Sequence, residues 1–167
     1  MQKPPLLAGL GGSLREKSYS RAALREALGI AEASGAAVEM LDVRELNLPM
    51  FVPDIPVTEY PVQHQATLTR LLETYRRADV MIWASPTYHG TISGVVKNAL
   101  DFMELLCDDQ PPYLQGRAVG IITVNDPITF ASMINAVHEL RAWLAPTQAV
   151  FSRQDFNSEM TLNNERA

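Results

Sequence analysis

Residues 6–20 read Leu6-Leu7-Ala8-Gly9-Leu10-Gly11-Gly12-Ser13-Leu14-Arg15-Glu16-Lys17-Ser18-Tyr19-Ser20. An apolar run of strand length stops at two glycines, and a polar loop follows. Residues 22–33 then carry Ala23, Leu24, Ala27, Leu28 and Ile30 at the spacing of one helix face. Ser34 and Gly35 end that helix, and residues 37–43 alternate into Asp42 as a second strand. The order strand, loop, helix, strand fixes the start of the chain as a βαβ unit.

The same alternation continues outward from it. Residues 47–61 hold Pro49, Pro53, Pro56 and Pro61, too many for a regular element. Leu48, Met50, Phe51 and Val52 make the segment too apolar for a disordered linker, so a packed loop is expected. Residues 63–77 read as a helix with Leu68, Leu71, Leu72 and Tyr75 on one face. Residues 80–84 form a near-continuous apolar run of the kind a strand buried on both faces requires. A helix over 95–106, a strand over 118–124, a helix over 132–144 and a short strand over 147–151 complete the pattern. Residues 155–167 are polar, lack an apolar face and receive no assignment.

Such alternation predicts a single α/β domain over 1–167, with a parallel sheet covered by helices through right-handed crossovers. Ligands in these sheets bind beyond the carboxyl ends of the strands, at the switch point of the strand order. The functional residues are therefore expected in loops 11–20, 85–94 and 125–131.

Bulk properties narrow the partners. Fourteen Lys and Arg against nineteen Asp and Glu give a net charge of −5, which opposes sequence-independent binding to a nucleic-acid backbone. The one cysteine, Cys107, cannot form an internal disulfide and reads as a partly buried apolar group. The chain opens without a basic segment leading into an apolar one. No apolar run reaches the roughly 18 residues that cross a bilayer. A cytoplasmic protein that neither binds nucleic acid nor enters a membrane is expected. His64 and His138 read as surface residues, Trp83 and Trp143 as core, and no residues cluster at metal-ligand spacing.

Loop 11–20 is rich in groups that bind anions. Ser13, Ser18 and Ser20 offer hydroxyls, Arg15 a two-pronged guanidinium, and the helix start its unpaired N–H groups with a dipole equivalent of roughly half a charge. A phosphate suits these donors, although Ser18 or Ser20 alone also reads as an ordinary helix cap. The Gly-Lys-Ser/Thr ending of a P-loop is absent. A dinucleotide fingerprint is matched only by Gly9, Gly11 and Gly12, with Leu14 at the third glycine position. Asp42 stands where a ribose-binding acid would, leaving a flavin-free dehydrogenase as a minor reading. Arg21 and Lys17 are candidates for a nucleotide 2′-phosphate or for solvated charges at a helix start.

Loop 85–94 reads Ser85-Pro86-Thr87-Tyr88-His89-Gly90-Thr91-Ile92-Ser93-Gly94. Pro86 restricts the chain leaving the buried strand, and the glycines allow close backbone approach. A planar heterocycle fits such a loop, packing on Pro86 or Tyr88 and bonding backbone N–H groups at its polar edge.

Taken together, Gly12-Ser13-x-Arg15-x-x-Ser18-x-Ser20 and Ser85-Pro86-x-Tyr88-His89-Gly90-x-Ile92-x-Gly94-x-x-Lys97-Asn98-Ala99-Leu100-Asp101 resemble the NADPH-dependent FMN reductase family, over residues 6 to about 151. The resemblance implies a flavodoxin-like three-layer sandwich with a five-stranded parallel sheet in the order 2-1-3-4-5. It implies FMN as cofactor and NADPH or NADH as reductant. Electrons would pass by a ping-pong mechanism to a small-molecule acceptor such as free flavin, a quinone, an azo compound or a metal oxyanion. Ser13, Arg15, Ser18 and Ser20 would hold the FMN phosphate, with contacts from Leu14 and Tyr19. Pro86, Thr87, Tyr88, His89 and Gly90 would lie along the ring and ribityl chain, and Asn125 and Asp126 would approach the ring from the third loop.

Four positions depart from the family pattern. Ser20 and His89 stand where asparagine is common, and Asn125-Asp126 where small residues, often glycines, are usual. Asp126 either brings a negative charge to the ring or points into solvent. In the first case an FMN-binding electron-transfer or sensing protein with little NAD(P)H oxidation becomes the alternative. The resemblance also implies a homodimer or homotetramer, with loop 47–61 and the helix from Val95 supplying apolar surface.

Overall fold

A computed structural model describes residues 3–163. The strands are β1 (Leu6–Gly11), β2 (Ala37–Asp42), β3 (Val80–Tyr88), β4 (Thr91–Ile92), β5 (Ala118–Val124) and β6 (Trp143–Phe151). The helices are α1 (Tyr19–Ala33), α2 (Val43–Leu46), α3 (Val62–Arg77), α4 (Gly94–Asp101) and α5 (Thr129–Glu139). The sheet runs β2-β1-β3-β5-β6 with every pair parallel, which is the expected order 2-1-3-4-5 once the parallel strands alone are counted. The additional strand β4 is a two-residue antiparallel partner of the end of β3.

Register explains the core. Leu41, Leu10, Trp83 and Ile121 lie level across four strands, and all four are buried. On one face they meet α3, α4 and α5 through Leu68, Leu71, Val96, Ala99, Met133 and Val137. The buried hydroxyl of Tyr75 donates to the Ala99 carbonyl (2.9 Å) and ties α3 to α4. The opposite face is covered by Ala22, Ala23, Leu24 and Leu28 of α1 together with Phe156.

Phe156 belongs to the segment left unassigned from sequence, and the structure corrects that reading. After β6, Ser152 and Asp155 form a reciprocal cap around a short 3-10 turn, and the chain doubles back so that Phe156 bridges to Leu162. The Phe156 ring packs against Tyr19 (5.3 Å between centroids) and Phe151 (5.9 Å). Burying one aromatic side chain offsets the ordering of a short polar segment, a gain that a search for helical periodicity does not see. Residues 164–167 of that segment lie outside the described residues.

Other boundaries also shift. The helix expected over 132–144 is α5, Thr129–Glu139; Arg141 then takes a left-handed conformation (φ 60°), and β6 begins at Trp143 rather than 147. Trp143 thus lies on an edge strand and is 72% exposed, not in the core, whereas Trp83 is fully buried. The helix expected over 95–106 is α4 followed by a 3-10 segment, Phe102–Leu106. Cys107, just beyond it, is exposed instead of partly buried. His138 is exposed and His64 half-buried. The proline-rich loop is packed as expected. Asn98 holds it from α4, accepting from the Phe51 N–H (2.8 Å) and donating to the Pro49 carbonyl (2.8 Å).

Candidate functional site

Strand pairing brings the expected loops to one edge. Gly11 is level with Asp42 on β2 and Ala84 on β3; Pro86 is level with Val124, and Val124 with Phe151. The chain leaving β1, β3, β5 and β6 therefore opens on the same side of the sheet. Gly11 lets β1 turn there: a Cβ on it would stand 2.1 Å from the Ala84 carbonyl oxygen, so no larger residue fits. The Gly12 N–H donates to that carbonyl (3.1 Å), and the loop begins.

Within the loop three serine hydroxyls form one chain. Ser13 Oγ donates to Ser18 Oγ (3.0 Å), and Ser18 Oγ lies 3.1 Å from Ser20 Oγ. All three residues are buried. Ser18 caps α1, its hydroxyl accepting from the Arg21 N–H (3.3 Å), while the Arg15 N–H donates to Ser13 Oγ (3.3 Å). No acidic residue occupies the first turn of α1, so its N-terminal dipole is uncompensated.

Arg21 and Asp42 hold this loop from behind. Arg21 donates from Nη2 to the Ser13 carbonyl (3.0 Å) and from Nη1 to the Glu16 carbonyl (2.9 Å), and its Nε pairs with Asp42 Oδ2. Asp42 Oδ1 also accepts from the Arg44 N–H (2.9 Å) at the start of α2. Both side chains are buried. This corrects two readings: Arg21 is neither a solvated charge nor a phosphate-facing one, and Asp42 is engaged by Arg21 rather than presented to a ribose.

The loops enclose a cavity of ≈ 250 Å³. Ser13, Arg15, Ser18, Tyr19 and Ser20 line it from the first loop, Pro86, Thr87 and Tyr88 from the second, and Asn125 from the third. Lys17, Val124 and Arg153 complete the wall, which contains no carboxylate among the described residues. Leu14, His89, Gly90 and Asp126 are not part of it. Leu14 is 60% exposed and borders a neighbouring hollow with Tyr88, Ser93, Gly94 and Val95. His89 (φ 51°) and Gly90 (φ 79°) are the two central residues of the tight hairpin joining β3 to β4. That geometry favours glycine and asparagine and tolerates histidine.

The Asp126 carboxylate is also engaged locally. Oδ1 accepts from the Ile128 N–H (2.8 Å), and the Asp126 carbonyl accepts from the Thr87 hydroxyl (3.0 Å). The residue thus closes the turn into α5 and joins the second loop to the third. Ser85, quoted only as part of a motif, ties β3 to α4: its hydroxyl accepts from the Ser93 N–H (3.0 Å) and donates to the Pro86 carbonyl (2.8 Å). Sequence reasoning missed Arg153, whose nearness depends on the β5–β6 register and the returning tail. A lone arginine after a short strand carries no local signal.

The pattern of motifs matches the family model described as NADPH-dependent FMN reductase over residues 5–161. The chain belongs to that family. Among its relatives, an NAD(P)H-dependent FMN reductase of Pseudomonas aeruginosa is 35% identical over 94 residues, 56% of this chain and 47% of the relative. The NADPH-dependent FMN reductase ArsH of Rhizobium meliloti is 30% identical over 140 residues, 84% of this chain and 54% of the relative. An FMN-dependent NADPH-azoreductase of Staphylococcus saprophyticus is 30% identical over 149 residues, 87% of this chain and 76% of the relative. The chain spans about half the length of the first two. In fold it is similar to the NAD(P)H:acceptor oxidoreductase FerB of Paracoccus denitrificans, with a TM-score of 0.73 at 16% identity over 97% of this chain and 88% of that one. The family's description names FMN and NADPH.

The residues present fit FMN. Three hydroxyls at a helix start and three cations, with no carboxylate, suit a phosphate monoester. The adjoining wall of Pro86, Tyr88 and Val124 suits a flat, partly apolar ring. Among the described residues, no group of His, Cys, Asp or Glu is placed to hold a metal ion, and no helix is long and apolar enough to cross a membrane.

Proposed function

We propose that this chain is an FMN-dependent NAD(P)H oxidoreductase that passes electrons to a small-molecule acceptor such as a free flavin, quinone, azo compound or metal oxyanion. The observation carrying the reading is the linked hydroxyl chain Ser13–Ser18–Ser20 opening into the same cavity as Pro86, Thr87 and Tyr88. FMN, when bound, supplies the capacity to accept a hydride and to release electrons singly or in pairs.

The chain's own residues have simpler tasks. Ser13, Ser18, Ser20 and Arg15 bind the phosphate, while Arg21 and Asp42 keep the Ser13 and Glu16 carbonyls turned away from it. Pro86, Thr87, Tyr88 and Asn125 position the ring and ribityl chain. Leu14, His89, Gly90 and Asp126 act at most from the rim. No side chain is required to move a proton during hydride transfer. Reductant and acceptor take turns on the same exposed face of the ring, giving ping-pong kinetics.

The electron-transfer alternative needs the charge of Asp126 to face the ring; its carboxylate accepts from the Ile128 N–H and is not part of the cavity wall, which favours the reductase reading. We further propose a homo-oligomer assembled on the face between α4 and α5, where Phe51, Leu100, Ala136 and Leu140 line a groove edged by Lys97, Asp101, Glu104 and Glu139.

The test is anaerobic addition of NADPH or NADH to the FMN-loaded protein, followed by a quinone. Bleaching of the flavin by one nicotinamide and recovery of colour with the quinone support the reductase. A flavin that binds yet stays oxidised with both nicotinamides contradicts it.

A further inference from the structure

The cavity wall holds three cations, Arg15, Lys17 and Arg153, and none of their side chains has a hydrogen-bond or ion-pair partner among the described residues. Five cations elsewhere pair closely with carboxylates: Arg70 and Arg77 with Glu39, Arg76 with Asp109, Lys97 with Asp101, and Arg21 with Asp42. A chain of net charge −5 places three positive groups around one hollow that, among the described residues, contains no acid. Two of them come from the serine loop itself. The third comes from the far end of the chain.

We infer that Arg153 is a second clamp on the FMN phosphate, supplied by the C-terminal segment. Val124 pairs with Phe151, and the Asn125 N–H donates to the Phe151 carbonyl (2.8 Å), so the residues just after β6 are fixed beside the third loop. The Ser152–Asp155 cap then sets the turn that carries Arg153: the Ser152 N–H and hydroxyl donate to Asp155 Oδ2 at 2.6 and 3.0 Å. Phe156 anchors the turn against Tyr19, in the first turn of α1 and itself on the cavity wall. Arg153 therefore reaches the hollow at the α1 N-terminus, where Ser18 and Ser20 lie. A phosphate monoester carries nearly two negative charges at neutral pH. Arg15 from one side and Arg153 from the other match that charge, and the guanidinium fork suits phosphate oxygens. The clamp also links cofactor binding to the order of residues 152–163.

This inference rests on the FMN reading of the cavity, and its test separates the two. FMN and riboflavin are titrated into the wild-type chain, Arg153→Ala and Arg153→Lys, following flavin fluorescence. Hydrogen exchange of residues 152–163 is measured with and without FMN. A charge-assisted hydrogen bond predicts about tenfold weaker FMN binding by Arg153→Ala. It also predicts partial recovery in Arg153→Lys, unchanged riboflavin binding in both, and FMN-induced protection of the tail in the wild type only. The side chain is exposed and stands outside the Ser152–Asp155 cap, so the variant keeps its fold, which a thermal melt checks. Equal weakening toward FMN and riboflavin would place Arg153 against the ring and overturn the clamp. Unchanged FMN binding, with or without an effect on NADPH, would overturn it too, while leaving the FMN reading intact. A wild-type chain that binds neither flavin overturns both.

Discussion

Arg21 and Asp42 form a buried ion pair directly behind the serine loop, joining the first turn of α1 to the end of β2. The Ser13 and Glu16 carbonyls accept from the Arg21 guanidinium and the Arg44 N–H donates to Asp42, and such surrounding hydrogen bonds are what let two buried charges be tolerated. Removing one partner leaves the other charged and alone. Asp42→Asn and Arg21→Met are each expected to lower unfolding stability by about 3 kcal/mol. They also loosen the carbonyls that shape the loop. Urea denaturation reads the first effect and FMN titration the second; a variant that unfolds like the wild type contradicts the role assigned to the pair.

Arg15 faces the cavity without a partner, and its replacement costs the fold little. Arg15→Ala is expected to weaken FMN binding by about 2 kcal/mol, the range of a charge-assisted hydrogen bond, at unchanged stability. The loss falls on FMN and spares riboflavin, which lacks the phosphate. Calorimetric titration of both flavins checks this, and an equal loss toward riboflavin refutes it.

Gly11 separates sheet from site. Its missing Cβ leaves room for the Ala84 carbonyl, and the clash in Gly11→Ala involves backbone on both sides and cannot be relieved by a rotamer change. Overpacking of that kind typically costs 1–3 kcal/mol, about 3 here because no flexible atom can yield. A soluble variant with wild-type stability contradicts the register of β1 on β3.

Tyr75 predicts a pH dependence. Burial lifts its phenol well above the ordinary value of 10.0, while in the unfolded chain it titrates near that value. Below the unfolded value the protonated phenol contributes fully to stability. Above it the unfolded chain releases the proton first, so stability falls as pH rises toward the folded value. Tyr75→Phe is expected to flatten the decline above pH 10 and to cost about 1 kcal/mol at neutral pH through the lost bond to the Ala99 carbonyl. Denaturation series on either side of that pH check it; identical slopes for both proteins contradict it.

Assembly has its own test. Ala136 is half-buried in the groove between α4 and α5. Ala136→Glu is expected to give a monomer in sedimentation with the fold intact, because it replaces a small apolar contact with a carboxylate beside Asp101, Glu104 and Glu139. A wild-type chain that sediments as a monomer at micromolar concentration removes the proposed oligomer.

The parallel strands and the serine-rich loop were legible because each is written locally. An apolar run such as 80–84 has one stable burial, and serines before an apolar-faced helix mark its N-terminus. The hairpin at His89 and Gly90 was less visible, since two positive-φ residues ahead of a two-residue strand leave no alternation to read. Trp143 was misjudged because residue type suggests burial, while the early end of α5 places the side chain on an edge strand. Arg21, Asp42 and Arg153 had legible chemistry but illegible partners. Their neighbours are fixed by strand register and by the tail folding back on Phe156, which no local pattern encodes.

The central claim is that the loop leaving β1 binds the phosphate of FMN. Calorimetric titration of the purified chain with FMN tests it most directly. The account predicts one FMN per chain, bound at least tenfold more tightly than riboflavin, as a charge-assisted phosphate contact requires. No measurable heat with FMN, or equal affinity for both flavins, would contradict it.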